Sequence, residues 1–241
     1  MTLHAKGERT APVAGFPIGI LVLNTRHRLV TGNVQHAGSF AFPVAYEIVK
    51  DVSVPALMCG DPEAAGPIVR GALTLEAAGV KAIVGACGSF ANYQLDVANA
   101  VQVPVFLSIL LEVPLLLRAL PAARQLGIIF ATTASFTERA RRQCGIEEGD
   151  RIVAIGADAI SAFQPILAQE GILDDGALRE GVVGLARATL CSHPHIGAWL
   201  LQCSDLPPYA AAIRQATDLP VFDMVALIHH VHDALSRGLA L

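Results

Sequence analysis

Gly85-Ala86-Cys87-Gly88-Ser89-Phe90 and Leu201-Gln202-Cys203-Ser204-Asp205-Leu206 are two copies of one pattern within this 241-residue chain. Each cysteine follows a short apolar run, and apolar runs bounded by turn residues are typical of buried parallel strands. Pro104 lies 17 residues after the first cysteine and Pro220 lies 17 residues after the second. The chain therefore contains an internal repeat.

The repeat extends upstream, because Gly19–Thr25 matches Gly127–Thr133 position by position. We expect an α/β fold of two pseudo-symmetric three-layer α/β/α domains with mainly parallel sheets. One domain comprises residues 1–117 together with 223–241 and carries the first cysteine; the other comprises residues 118–222 and carries the second. Ligands bind at the carboxyl ends of strands in open α/β sheets, so the active site is expected in the cleft between the domains.

The composition favours a globular protein with well-covered sheets and argues against a nucleic-acid-binding protein. Charged residues are 16% of the chain and the mean hydropathy is +0.51, which predicts sheets covered on both faces and some apolar surface left for a homo-oligomer contact. The net charge of −4 and the pI near 6.0 argue against nucleic acid as a partner.

Targeting and redox features favour a cytoplasmic protein. Residues 1–15 have no signal-peptide apolar core and are predicted to be a loose lead-in, and no stretch has the length and apolarity of a membrane span. Five cysteines, an odd number without a close C-x-x-C pair, do not suggest disulfides or a zinc site. We therefore expect reduced thiols and no metal.

Local patterns predict several elements of the first half. Ile18–Leu23 is predicted to be a strand, and Thr25–Pro43 a long loop over its end, of the kind that often binds ligands. Val44–Val49 is predicted to begin a helix and Val52–Met58 to form the second strand. In the second half, Ser135-Phe136-Thr137-Glu138 matches a capping box with its serine at the cap.

The two cysteines are the candidate catalytic residues. Each precedes a predicted helix, whose positive end favours a thiolate. Lowering a thiol pKa from about 8.5 to about 7 requires roughly 2 kcal/mol, of which a helix N-terminus supplies typically about 0.3–1 kcal/mol. With Cys87 and Cys203 on either side of a bound carbon acid, one thiolate removes the α-proton while the other thiol delivers a proton to the opposite face. No phosphate cup or lysine for pyridoxal phosphate is apparent, so no cofactor is expected.

Polar groups near the strand ends are candidates for holding the substrate. Because Gly88 has no side chain, backbone N–H groups at this turn can approach a carboxylate. Hydroxyl or amide groups supply further donors for a carbanion-like intermediate. Asp205 is predicted either to cap a helix or to assist Cys203. The candidate substrate-binding residues are Asn24, Thr25, Gly88, Ser89, Thr132, Thr133 and Ser204.

The two-cysteine repeat resembles the aspartate/glutamate racemase superfamily along nearly the whole chain. The resemblance implies two pseudo-symmetric α/β domains, catalytic roles for Cys87 and Cys203, and substrate contacts at the positions given above. Glutamate racemases usually carry Asp-Ser, Cys-Asn-Thr and Cys-Thr-His at the three motifs. Here the motifs are Asn24-Thr25, Cys87-Gly88-Ser89 and Cys203-Ser204-Asp205, which argues against glutamate itself.

The sequence thus predicts a cofactor-independent isomerase, a racemase or epimerase that acts on an amino acid or related small carboxylate by two-base proton transfer. Two alternatives stay open at this point. One is an enzyme similar to maleate isomerase or arylmalonate decarboxylase that uses the same pocket. The other is a binding protein without catalysis, since two α/β lobes around a cleft also suit that role.

Overall fold

Two parallel four-stranded sheets form the centre of the computed structural model, which describes residues 15–236. The predicted lead-in lies outside the described residues apart from Gly15. The first sheet has the order β2-β1-β3-β4 and the second β6-β5-β7-β8, which is the same order in each half. The strands are β1 Ile18–Leu23, β2 Val44–Val49, β3 Ala82–Gly85, β4 Val105–Phe106, β5 Gln125–Phe130, β6 Ile152–Gly156, β7 Ile196–Leu201 and β8 Val221–Asp223.

Helices cover the faces of both sheets, which confirms the α/β class with parallel sheets. Short 3-10 turns precede several of them, including Gly88–Tyr93 directly after Cys87. The α-helices between residues 15 and 236 are α1 Val54–Cys59, α2 Ala65–Ala77, α3 Gln94–Ala98, α4 Val113–Ala119, α5 Glu138–Gln143, α6 Gln164–Ala168, α7 Asp175–Ser192, α8 Ala210–Thr217 and α9 Met224–Ser236.

Strand β1 is buried on both faces, as expected for a central parallel strand. Successive strand residues point to opposite faces. Accordingly Ile18 and Ile20 pack into the core shared by the two halves, whereas Leu21 and Leu23 pack on the side of α2. Strand β5 repeats this arrangement, with Ile128 in the shared core.

The shared core joins the halves of the repeat into one body. It contains alternate residues of β1 and β5 together with Ile228 and Val231 of α9. Phe42, in the long loop of the first half, stacks on His232 of α9 with ring centroids 3.7 Å apart. The boundaries predicted at 117/118 and 222/223 stay a prediction.

The predicted second strand was wrong. Val44–Val49 is the strand, paired in parallel with β1 along its full length. The predicted strand Val52–Met58 instead overlaps the helix α1, Val54–Cys59. Ser53 caps that helix by accepting from the N–H of Ala56, and Pro55 occupies its first turn. The sheet contact with β1 therefore determines which apolar run becomes the strand.

The capping box was also wrong in its register. Thr137, not Ser135, is the N-cap of α5, and its hydroxyl accepts from the N–H of Ala140. Ser135 instead donates its hydroxyl to the carbonyl of Thr132 and closes a 3-10 turn. Helix α5 therefore begins after the threonine, two residues later than the pattern predicts.

Candidate active site

The segments that carry the two cysteines are anchored in the same way. The N–H of Ala86 donates to the carbonyl of Leu21 at 2.8 Å, and the N–H of Gln202 donates to the carbonyl of Ile129 at 2.9 Å. Each bond ties a cysteine segment to the central strand of its own sheet. Gly88 of the first segment then packs directly against Gln202 of the second.

Both thiols line one small cavity between the halves, about 70 Å³ in volume. Its walls are mostly apolar and include Leu23, Val54, Met58 and Ile166. Among the described residues, no Lys or Arg lines it. The cavity therefore suits a small ligand that carries its own compensating charge or is held by neutral donors.

Cys87 lies at the end of β3, where the backbone turns into Gly88–Tyr93. Burial raises the pKa of its thiol to about 11, although the backbone N–H and hydroxyl of Ser89 partly offset this effect. The segment directly after Cys87 is a 3-10 turn and not the start of the predicted α-helix, and burial is the largest influence on the pKa of this thiol. A thiolate formed here is a strong base.

Cys203 lies beside a carboxylate. Its thiol donates to Oδ2 of Asp205, with 3.6 Å between Sγ and the oxygen. Burial raises the pKa of this thiol well above its usual range, and the negative charge of Asp205 raises it further. The resting form of Cys203 is therefore the neutral thiol.

Asp205 in turn is held by two side chains from the long loop of the first half. Nε2 of His27 lies 2.8 Å from Oδ1 of Asp205, and Nδ2 of Asn33 donates to the same oxygen at 2.6 Å. His27 and Asn33 are both buried. The loop of one half therefore completes the cysteine site of the other.

The structure brings some of the predicted binding residues to this cavity and not others. Asn24 is exposed and lies in a separate open groove with Lys50 and Asp51. Thr132 caps a 3-10 turn through the N–H of Ala134, and Thr133 is exposed. The predicted residues that line the cavity with the two cysteines are Thr25, Gly88, Ser89, Ser204 and Asp205.

Several polar residues of the site were not predicted individually from the sequence. Gln35 lines the cavity and donates from Nε2 to the Thr25 hydroxyl at 3.1 Å. Within residues 15–236, Nδ1 of His27 and Nε2 of Gln202 are buried without a hydrogen-bond partner. The sequence predicted that the long loop Thr25–Pro43 binds a ligand. For His27 and Gln35, which belong to this loop, that prediction was the one sequence signal of a role in the site.

No helix within the described part of the chain combines the length and apolar character needed to cross a bilayer. Over the same residues, His, Cys, Asp and Glu side chains do not gather in groups of three or more that could hold a metal ion.

The sequence relatives of this chain are named lyases. No protein-family model matches the chain. It is 30% identical over 227 residues to dimethylsulfoniopropionate lyase 5 of Emiliania huxleyi (strain CCMP1516), covering 90% of this chain and 45% of that protein. It is 31% identical over 224 residues to dimethylsulfoniopropionate lyase 3 of the same organism, covering 88% and 58%. The chain thus spans about half the length of these curated relatives.

Solved structures confirm the superfamily fold. An aspartate racemase homologue from Pyrococcus horikoshii OT3 superimposes with a TM-score of 0.56 at 17% identity, covering 91% of this chain and 99% of that one. Unliganded arylmalonate decarboxylase gives a TM-score of 0.56 at 16% identity, covering 92% and 93%. The chain therefore has the aspartate/glutamate racemase fold.

The predicted activity is corrected by the sequence relatives. A racemase or epimerase is an isomerase, whereas the curated proteins at about 30% identity over most of this chain are named lyases. This chain shares its fold with an aspartate racemase homologue. The prediction of an isomerase was therefore wrong.

Proposed function

We propose that this chain is a lyase that uses its thiol pair to eliminate a sulfonium group from a small carboxylate of the dimethylsulfoniopropionate class. A thiolate removes the proton on the carbon next to the carboxylate. The electron pair of that C–H bond forms the carbon–carbon double bond, and the C–S bond breaks with its electrons on sulfur. The products are dimethyl sulfide, acrylate and a protonated thiol, which returns its proton to solvent.

The observation that carries this proposal is the pair Cys87 and Cys203 on one small, mostly apolar cavity. The α-proton of a carboxylate is weakly acidic, so its removal requires a strong base. A thiol whose pKa is raised to about 11, like that of Cys87, is such a base once it is ionised. The low-polarity walls also strengthen each electrostatic contact with the substrate.

The cavity offers complementary groups for both ends of such a zwitterion. Neutral donors, namely the hydroxyls of Ser89 and Ser204 and the free amide of Gln202, suit the carboxylate. The apolar wall with Met58 suits the two methyl groups on sulfur. A zwitterion needs no Lys or Arg, which agrees with the composition of the lining.

The experiment is turnover of dimethylsulfoniopropionate by the purified chain, with acrylate followed by NMR and dimethyl sulfide by gas chromatography. We expect Cys87→Ala and Cys203→Ala each to lower kcat at least about 100-fold, the usual loss for a group that moves a proton. Cys59→Ala is the matched control, because Cys59 is an exposed thiol outside the cavity.

The outcomes separate the hypotheses. Turnover by the wild type that is retained in both cavity variants would refute the thiol chemistry. Binding of the substrate without any product would refute the lyase and leave a binding protein. The predicted homo-oligomer and cytoplasmic location are tested separately, by light scattering of the purified chain and by imaging in its native cells.

A further inference from the structure

His27 reaches from the long loop of the first half into the cysteine site of the second. It is separated from Asp205 by 178 residues in sequence, yet its Nε2 lies 2.8 Å from the carboxylate. The side chain of His27 is 3% exposed, so this contact is shielded from water. Burying both partners of an ion pair has a desolvation cost that their attraction does not always repay, so this pair is weakly explained by stability alone.

The carboxylate of Asp205 connects this ring to a thiol. One oxygen, Oδ1, contacts His27 and accepts from Asn33, and the other, Oδ2, accepts from Cys203. The ring, the carboxylate and the thiol therefore form a continuous chain of hydrogen bonds. Cys87 lines the same cavity, and no histidine or carboxylate within residues 15–236 is hydrogen-bonded to it, so the two thiols have different surroundings.

We propose that His27 is a positioning residue: as an imidazolium it fixes Asp205 and offsets its negative charge, so that Cys203 ionises more readily than beside an uncompensated carboxylate. Its importance for turnover rests on the proposed lyase function. Its effect on the Cys203 thiol is independent of any substrate.

The surroundings of the ring support the charged form. Burial opposes the imidazolium, but the hydrogen bond and charge of Asp205 outweigh burial, and the pKa of His27 is raised; Gln169 beside the ring acts in the same direction. Arg26 and Arg28 flank the ring in sequence, but both are exposed. The titratable groups that line the cavity with the ring are Asp205, Cys203 and Cys87, and its charged neighbours in sequence are Arg26 and Arg28.

The test measures the alkylation of each thiol by iodoacetamide across pH 6–10, with mass spectrometry to resolve the sites. In His27→Gln the side-chain amide keeps a donor for Asp205 but carries no charge. Opposite charges within about 4–6 Å shift a pKa by roughly 1–3 units. We therefore expect Cys203 to be alkylated about tenfold more slowly at pH 7, with the rate at Cys87 nearly unchanged.

A matched control comes from the same loop. Nδ1 of His36 accepts a hydrogen bond from the N–H of Gly38, and the ring forms no hydrogen bond with Asp205. His36→Gln should leave both alkylation rates as in the wild type. A uniform change at both thiols in His27→Gln, no change at Cys203, or a faster reaction there would overturn the proposal.

A second variant keeps the test decisive if His27→Gln does not fold. Asp205→Asn removes both the carboxylate and the imidazolium charge that depends on it, so the Cys203 alkylation rate at pH 7 should stay within about threefold of the wild type; an acceleration of about tenfold or more, the effect of losing an uncompensated carboxylate, contradicts the proposal. If both single variants fold, adding His27→Gln to Asp205→Asn should have no further effect, because the ring has lost the partner that keeps it charged. Since no substrate is used, these results stand apart from the test for lyase activity.

Discussion

Gly88 packs against the carbonyl group of Gln202 with no room for a side chain: a Cβ on Gly88 would overlap both the carbonyl oxygen and the side-chain amide of Gln202. This is the point where the two cysteine segments touch. The spacing of the two thiols across the cavity therefore depends on a residue without a side chain.

Gly88→Ala should separate the segments or distort both. We expect a loss of stability of about 1–3 kcal/mol, as for overpacked cores, and a fall in lyase turnover of at least tenfold. Urea unfolding and the acrylate assay measure the two effects. Gly184→Ala is the control, because Gly184 lies in α7 with open space around its Cβ position. That variant should be neutral or gain about 0.5–1 kcal/mol from helix propensity.

We expect Asn92 to stabilise the contact between the halves. Its amide donates to the carbonyls of Leu57 and Ser89, and its oxygen accepts from the Thr137 hydroxyl at 2.5 Å. The Leu57 carbonyl keeps the N–H of Gly60 and the Thr137 hydroxyl keeps the N–H of Ala140, so Asn92→Ala removes three side-chain hydrogen bonds at about 0.5–1.5 kcal/mol each. We expect the free energy of unfolding to fall by at least about 2 kcal/mol.

Chemical denaturation of Asn92→Ala beside Asn99→Ala provides the comparison. Asn99 is exposed near the end of α3, and its side chain makes no hydrogen bond among the described residues. Equal stability of the two variants would contradict the assigned role of Asn92.

Asp223 makes stability depend on pH. Burial raises the pKa of this carboxyl, although the backbone N–H groups of Val225 and Ala226 oppose the shift. A group with a raised folded-state pKa contributes stability that is complete below its unfolded value, about 3.9, and is lost as pH rises through the folded value. Asp223→Asn keeps an acceptor for the N–H of Ala226 and removes the buried charge.

The variant should therefore gain in melting temperature relative to the wild type as the pH rises from 4 to 8. Asp218→Asn is the control, since Asp218 is exposed at a left-handed backbone position that asparagine also tolerates. If the melting temperature of the wild type instead rises above that of Asp223→Asn as the pH increases, this account of the Asp223 carboxyl is refuted.

The sequence was sufficient for features that depend on local apolar patterns. Strand β1 was predicted with its observed bounds, and the repeated cysteines led to a common cavity. It was insufficient where a distant contact decides the outcome. Val44–Val49 becomes a strand because it pairs with β1, a contact that no window around it contains.

The site shows the same limit at the level of single residues. Thr25 lines the cavity while its neighbour Asn24 lies in another groove, because adjacent residues after a strand point in different directions. His27 has no motif of its own, and its partner Asp205 is 178 residues away. The two-cysteine pattern also did not distinguish an isomerase from a lyase, since racemisation and the proposed elimination both begin with removal of an α-proton.

The most direct test of the thiol-based elimination uses dimethylsulfoniopropionate that carries two deuterium atoms on the carbon next to the carboxylate. Removal of an α-deuteron and loss of dimethyl sulfide should yield acrylate with one deuterium at that carbon, seen by NMR, and the reaction should be slower than with the unlabelled substrate. A product that keeps both deuterium atoms, such as 3-hydroxypropionate formed by displacement at the sulfur-bearing carbon, would contradict the account.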